Sequence, residues 1–146
     1  MKIRQTFMPI YPMDGSRAGL DARKLAMTNP EDYVLKPQRE GGGNNVFRSA
    51  IPQFLESLPE QECNAYILME LIKPPTQKNF IVREGQMTHQ EVVNEIGVYG
   101  TIMWDGNGNV LANDQGGWYL RTKPCDKDEG GVTMGFGSHD SVCLYS

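Results

Sequence analysis

Residues 36–45, Lys-Pro-Gln-Arg-Glu-Gly-Gly-Gly-Asn-Asn, constrain this chain more than any other stretch. They follow a short strand-like run, Tyr33-Val34-Leu35-Lys36, and precede a run with helical spacing. Three successive residues without side chains let backbone N–H groups close around the oxygens of a phosphate. A Walker loop carries its lysine after the glycines, at the start of a helix, whereas here the lysine precedes them at a strand end. Lys36 can supply a point charge to a phosphate, and Glu40 is the hard oxygen ligand that a nucleotide-bound Mg²⁺ accepts. Gly41, Gly42 and Gly43 alone would equally describe a surface loop; the flanking Lys36, Arg39, Glu40, Asn44 and Asn45 turn the reading towards a phosphate-binding lid.

Around this segment the pattern alternates helix and strand. A helix is expected from about 18 to 28, closed by Asn29-Pro30 because the residue before proline resists helical angles. A second, from about 49 to 58, has Ile51, Leu55 and Leu58 at helical spacing, Ser49 as N-cap and Pro52 in the first turn, where its missing N–H costs nothing. Ala65 to Leu71 has the length and apolar character of a central strand. Residues 79–83, 91–99 and 101–104 are further strands, and Asp105-Gly-Asn-Gly-Asn109 turns the last of them into Val110-Leu111-Ala112. Glycines at 116–117 and 130–137 mark loops. These elements sum to an α+β layer with one antiparallel sheet and helices on a face.

With 39% hydrophobic residues in 146, one domain with an ordinary core is expected. The net charge of −4 and the lack of a basic block argue against nucleic acid, and no apolar run is long enough to span a bilayer or serve as a signal peptide. A cytoplasmic location follows as an expectation. Cys63, Cys125 and Cys143 show no C-x-x-C spacing and read as buried or idle thiols; His89 and His139 read as surface residues. Asp105-x-Asn107-x-Asn109 opens like a calcium loop, but Val110 stands where the glycine is needed and Gly116 where the bidentate glutamate belongs, so it is a turn.

The segment KPQREGGGNN resembles the glycine-rich lid over ATP in eukaryotic glutathione synthetases. The resemblance extends through Ile67-Leu-Met-Glu70, Glu95-Ile-Gly97, Leu120-Arg-Thr-Lys123 and Glu129-Gly-Gly-Val132, and so covers nearly the whole chain. It implies an ATP-grasp fold, antiparallel sheet with glycine-rich lid loops, and a ligase joining γ-glutamylcysteine to glycine through an acyl phosphate made from ATP. The resemblance implies that Lys36, Glu40, Gly41 to Gly43, Asn44, Asn45 and Phe47 cover the nucleotide, with Glu40 also holding Mg²⁺. Met69, Glu70, Leu71 and Ile72 would lie along the adenine, and Glu95, Lys123 and Glu129 on the nucleotide side. Arg121 would hold the peptide carboxylate, a task suited to its planar fork. Val132 and Thr133, in the glycine-rich segment 130–137, would close over the substrate end and exclude water.

Four positions depart from the family pattern: Phe47 for a tyrosine, Leu71 for a lysine, and Thr133 and Met134 for two alanines beside the amino-acid pocket. The last two leave another small acceptor, such as β-alanine, open beside glycine. A family member is roughly three times as long, and its earlier part would supply most of the γ-glutamylcysteine pocket, the other Mg²⁺ ligands and a further phosphate lysine. The expectation is therefore a carboxy-terminal portion of such a ligase, pairing as a homodimer as in the family. The alternatives are an ATP-binding or regulatory module without chemistry, and a remnant without a ligand.

Overall fold

The computed structural model describes residues 3–39 and 43–143, and the chain divides into two compact units, residues 1–73 and 74–146. Length alone leads one to expect a single domain; the division falls at Lys73-Pro74-Pro75, where two consecutive prolines can join neither a helix nor a sheet ladder.

The first unit is built on a four-stranded antiparallel sheet in the order β1-β4-β2-β3, made of Ile10–Pro12 (β1), Tyr33–Pro37 (β2), Val46–Phe47 (β3) and Tyr66–Glu70 (β4). Leu35 pairs with Val46 and Leu68, and Tyr33 with Glu70, so these side chains share one face. Two helices, Arg17–Thr28 (α1) and Ala50–Ser57 (α2), lie on that face, and a core of Met13, Ala22, Ala26, Tyr33, Leu35, Ile51, Cys63 and Leu68 forms between them. The Ser16 side chain caps α1 by accepting from the Gly19 N–H at 3.2 Å. Gly19, Ala22 and Ala26 form the buried stripe of this helix. A Cβ on Gly19 would lie 2.1 Å from the Asp14 carbonyl oxygen, so only glycine permits this approach. For α2 the expected cap differs: Ser49 has helical dihedrals and no side-chain cap bond, and the Ile51 N–H instead donates to the Arg48 carbonyl at 2.9 Å. Ala65 ends a 3₁₀ turn rather than opening β4, and Leu71 lies just past its end.

The second unit has no helix among its described residues. Its antiparallel sheet runs in chain order through Gln77–Arg83 (β5), Gln86–Trp104 (β6), Val110–Pro124 (β7) and Ser138–Asp140 (β8). Residues 91–99 and 101–104, expected as two strands, are one strand of 19 residues; Gly100 marks a register shift rather than a break. Gly116 and Gly117, expected as a loop, lie inside β7, where Gly117 takes φ 127° beside the same irregularity. The turn at 105–109 is closed by Asp105, whose Oδ1 accepts from the N–H groups of Asn107 and Asn109 at 2.9 and 2.8 Å. The Asn109 side-chain amide, donating to Asp105 Oδ2 at 2.8 Å, and then these backbone bonds hold the Asp105 carboxyl below its ordinary pKa. The antiparallel α+β class is as expected, but the single expected sheet is two, one in each unit, with α1 and α2 on one face of the first.

Candidate ligand-binding site

In the first unit the register assembles a helix-free face. Val34 pairs with both Phe47 and Met69, and Lys36 with Ile67, so Lys36, Phe47, Ile67 and Met69 surround Val34 on the side of the sheet opposite α1 and α2. Three side chains expected to meet a nucleotide thus share one surface although they come from three strands. Gly43 follows with φ 82°, a left-handed conformation that favours glycine. Asn44 is exposed and Asn45 half-buried. Glu40, Gly41 and Gly42, the proposed metal ligand and the first lid glycines, lie outside the described residues.

At the edge of the same sheet Glu70 and Leu71 line a cavity of about 360 Å³ together with Met8, Asp32, Tyr33 and Lys73. The N–H groups of Glu70 and Leu71 donate to the carbonyls of Pro9 and Asp32 at 3.1 and 2.9 Å, which fixes this stretch beyond the end of β4. The Tyr11 hydroxyl donates to Glu70 Oε1 at 2.8 Å; this bond to a carboxylate, with burial, pushes the Tyr11 pKa up to about 12. Lys73 Nζ bonds Asp32 Oδ1 at 2.6 Å across the mouth. Ile72 is exposed. Tyr11, Asp32 and Lys73 were not picked out from the sequence: each is unremarkable alone, and the pairing of β1 and β2 with β4 brings Tyr11 to Glu70 and Asp32 to Lys73.

In the second unit Glu95 and Arg121 stand directly opposite each other on β6 and β7. Arg121 Nε donates to Glu95 Oε2 at 2.9 Å, and Nη2 reaches the same oxygen, so the guanidinium pKa rises above its ordinary value. Lys123 lies on the same face one pair further and donates from Nζ to the Asp128 carbonyl at 2.8 Å. Residues 130–137 fold back over this face: a Cβ on Gly130 would come within 3.3 Å of Arg121 Cζ, and one on Gly137 within 2.7 Å of the Gly130 oxygen. Val132 is half-buried in this turn and Glu129 half-buried before it, whereas Thr133 and Met134 are exposed. The glycines therefore serve close packing on an arginine as well as turning the chain.

Arg121 and Lys123 lie half-buried on one face of β7, and Thr122 lies on the other. Thr122 is only 1% exposed, with its hydroxyl 2.9 Å from Asn94 Oδ1 and 2.7 Å from Asp140 Oδ2. A hydroxyl has one proton, so it donates to one of these, and Asn94 can meet it through its amide nitrogen instead. Along the Arg121 face Tyr119 covers Gly97, where a Cβ would lie 2.3 Å from the ring, and Tyr99 stacks on Tyr119 with centroids 5.5 Å apart. This aromatic row was also missed in the sequence, because it depends on a glycine facing each tyrosine across the ladder. Among the described residues no group of three His, Cys, Asp or Glu side chains could hold a metal ion, and no helix is long and apolar enough to cross a membrane.

The family model for the eukaryotic glutathione synthase ATP-binding domain matches residues 1–144. The large chain of glutathione synthetase from Schizosaccharomyces pombe is 43% identical over 97% of this chain, and the chloroplastic glutathione synthetase of Arabidopsis thaliana is 40% identical over 98%. The Mus musculus glutathione synthetase is 38% identical over 92%. The chain spans between a quarter and a third of the length of these relatives, 29%, 26% and 28% respectively. A glutathione synthetase-like effector from Globodera pallida, 22% identical, shares the fold with a TM-score of 0.65 over 95% of this chain and 28% of its own. A match over almost all its residues makes this chain a member of the eukaryotic glutathione synthase ATP-binding domain family.

Proposed function

We propose that this chain is the nucleotide-handling, carboxy-terminal portion of a glutathione synthetase, which joins γ-glutamylcysteine to glycine at the expense of ATP. The observation that carries the reading is the convergence of Lys36, Phe47 and Met69 on the helix-free face of the first sheet, next to the glycine-rich segment. In the proposed reaction the glycyl-accepting carboxylate of γ-glutamylcysteine attacks the terminal phosphorus of ATP, and ADP leaves. The glycine amine then adds to the acyl phosphate, losing a proton, and inorganic phosphate departs. Lys36 offsets charge on the phosphates, Phe47 and Met69 cover apolar parts of the nucleotide, and Glu70 to Ile72 border the adenine. In the second unit Arg121 holds the peptide carboxylate, Lys123, Glu95 and Glu129 serve the nucleotide side, and the turn carrying Val132 and Thr133 keeps water from the acyl phosphate.

Mg²⁺ belongs to the proposal only through Glu40. The described residues offer no donor set that fits a metal ion. The remaining substrate groups would come from a preceding part of a longer protein, active in the cytoplasm as a homodimer. A second reading, another small acceptor in place of glycine, is favoured by the exposed Thr133 and Met134 side chains on the turn over Arg121.

The test is calorimetric titration of the purified chain with Mg-ATP beside Lys36→Ala. Saturable binding that weakens about tenfold in the variant, the equivalent of roughly 1.4 kcal/mol, supports the reading. Equal affinity in both would remove Lys36 and its face from the site.

A further inference from the structure

Each strand of the second sheet brings a polar side chain to the face opposite Arg121. Asn94 of β6 pairs directly with Thr122 of β7, and Asp140 of β8 pairs with Leu120, the next residue of β7 on that face. Asp140 Oδ2 accepts from the Thr122 hydroxyl at 2.7 Å and from Asn79 Nδ2 of β5 at 3.3 Å, while Oδ1 accepts from the Ser141 N–H at 2.8 Å. A carboxylate only accepts, whereas Asn94 can turn its amide nitrogen towards Thr122, so the one hydroxyl proton goes to Asp140.

The strand that Asp140 ends is short. Three residues at the edge of the sheet have Leu120, Arg121 and Thr122 as ladder partners, and such an edge opens locally at small cost. The same strand receives the glycine-rich segment 130–137, which lies on the other face of β7. A Cβ on Gly130 would be 3.3 Å from Arg121 Cζ, and one on Gly137, next to Ser138, 3.4 Å from Arg121 Cγ. The N–H groups of Gly135 and Phe136, bonded to the carbonyls of Val132 and Gly131 at 3.0 Å, hold the shape of this turn. Its attachment to the sheet is separate: Lys123 holds the Asp128 carbonyl before the turn, and β8 holds the chain after it.

We propose that Asp140 is a positioning residue for the glycine-rich turn: by gathering Thr122 and Asn79 it seats β8, and through β8 it keeps the turn beside Arg121. This rests on the reading of the turn as the cover over the substrate end, and it places the hinge of that cover at β8, set from the opposite face of the sheet. Loosening Asp140 then lets the turn lift while β5, β6 and β7 stay paired.

The experiment is amide hydrogen exchange by NMR on the ¹⁵N-labelled 146-residue chain, wild type beside Asp140→Asn. An amide of the same size cannot accept from all three donors, because its NH₂ end is itself a donor. The Gly135 and Phe136 amides should exchange about tenfold faster, the effect of losing one hydrogen bond to a charged acceptor. The Arg121 Nε–Hε signal should shift, and the amides of β6 should keep their rates. Exchange that rises uniformly through β5, β6 and β7 would show a general stabilising role and overturn the proposal, as would unchanged exchange in the turn. If Asp140→Asn does not fold, Thr122 decides. Thr122→Val should reproduce the faster turn exchange, and Thr122→Ser, which keeps the hydroxyl, should restore the wild-type rates. The same rise in both would assign the effect to packing and sink the positioning role.

The Mg-ATP titration of Lys36→Ala separates this hinge from the ligase reading, because it reads other residues by another signal. Equal ATP affinity there, with faster exchange confined to the turn in Asp140→Asn, would remove the ligase reading and leave the hinge at β8 standing. Weakened ATP binding in Lys36→Ala, with uniform or unchanged exchange in Asp140→Asn, would defeat the hinge alone.

Discussion

The two units solve the problem of supporting a sheet in different ways. The first covers one face with α1 and α2 and buries Leu35, Ile51 and Leu68 completely, which leaves the opposite face to Lys36, Phe47, Ile67 and Met69 around Val34. Among its described residues the second has only Ile81, Val92 and Val93 as buried apolar side chains, and it keeps Ile96, Val98 and Trp118 more than half exposed on one face of β6 and β7. Its order comes instead from long ladders, the Tyr99–Tyr119 stack, the Glu95–Arg121 pair and the Thr122 hydrogen bonds. A helix-backed sheet tolerates change on its free face because its stability lies elsewhere. A sheet held together by cross-strand pairs has its structural and its ligand-facing residues on the same strands.

The sharpest way to break this contrast is Leu68→Ala. Loss of its buried side chain from the first core should cost about 3 kcal/mol, seen as a lower denaturant midpoint for probes in residues 3–73. A cost under about 1 kcal/mol would mean that the helices do not carry the first unit. Next comes Gly97→Ala, where the added Cβ meets the ring of Tyr119. A ring can turn aside where backbone cannot, so the expected cost is about 1 to 2 kcal/mol, with loss of the Tyr99–Tyr119 stacking signal in near-ultraviolet circular dichroism.

Alkaline pH sharpens the comparison on the first unit. The Tyr11 pKa is raised from 10.0 to about 12, so its bond to Glu70 contributes fully below pH 10 and is lost as pH rises towards 12. Tyr11→Phe should flatten this limb of a pH–stability curve, and an unchanged limb would assign it to another group. The smallest effect is expected for Trp118→Ala, within about 0.5 kcal/mol because the side chain is 52% exposed. A loss above about 2 kcal/mol in thermal unfolding would show that the apolar face of β6 and β7 is packed after all.

Much of the first unit was legible. Asn29-Pro30 ended α1, the Ile51, Leu55 and Leu58 spacing set α2 although the helix stops at Ser57 with Leu58 as its C-cap, and the apolar run through Leu68 marked the central strand. Ser49 was misjudged as a side-chain cap because the chain enters α2 through Arg48, a non-glycine residue at φ 50°, and composition does not reveal that entry. In the second unit local signals misled: Gly100, Gly116 and Gly117 look like loop residues, yet long-range pairing keeps them in strands. The candidate site divides similarly. Motifs pointed to Lys36 and Arg121, but motifs cannot show that Arg121 is already bonded to Glu95, or that a Cβ at Gly130 or Gly137 would crowd its side chain. Those relations exist only across the ladder and the turn.

Strand order also bears on how the chain acquires its structure. In the second sheet every neighbour is the next strand in sequence, so its three hairpins can close one after another over short separations. In the first, β1 pairs with β4, bringing Ile10 to Met69 across α1, β2, β3 and α2. That contact has a much larger loop-closure entropy and should form late, so in refolding the second unit is expected to gain hydrogen-exchange protection before β1 does. The cavity lined by Glu70, whose carboxylate accepts from Tyr11 of β1, would then be among the last features of the molecule to appear.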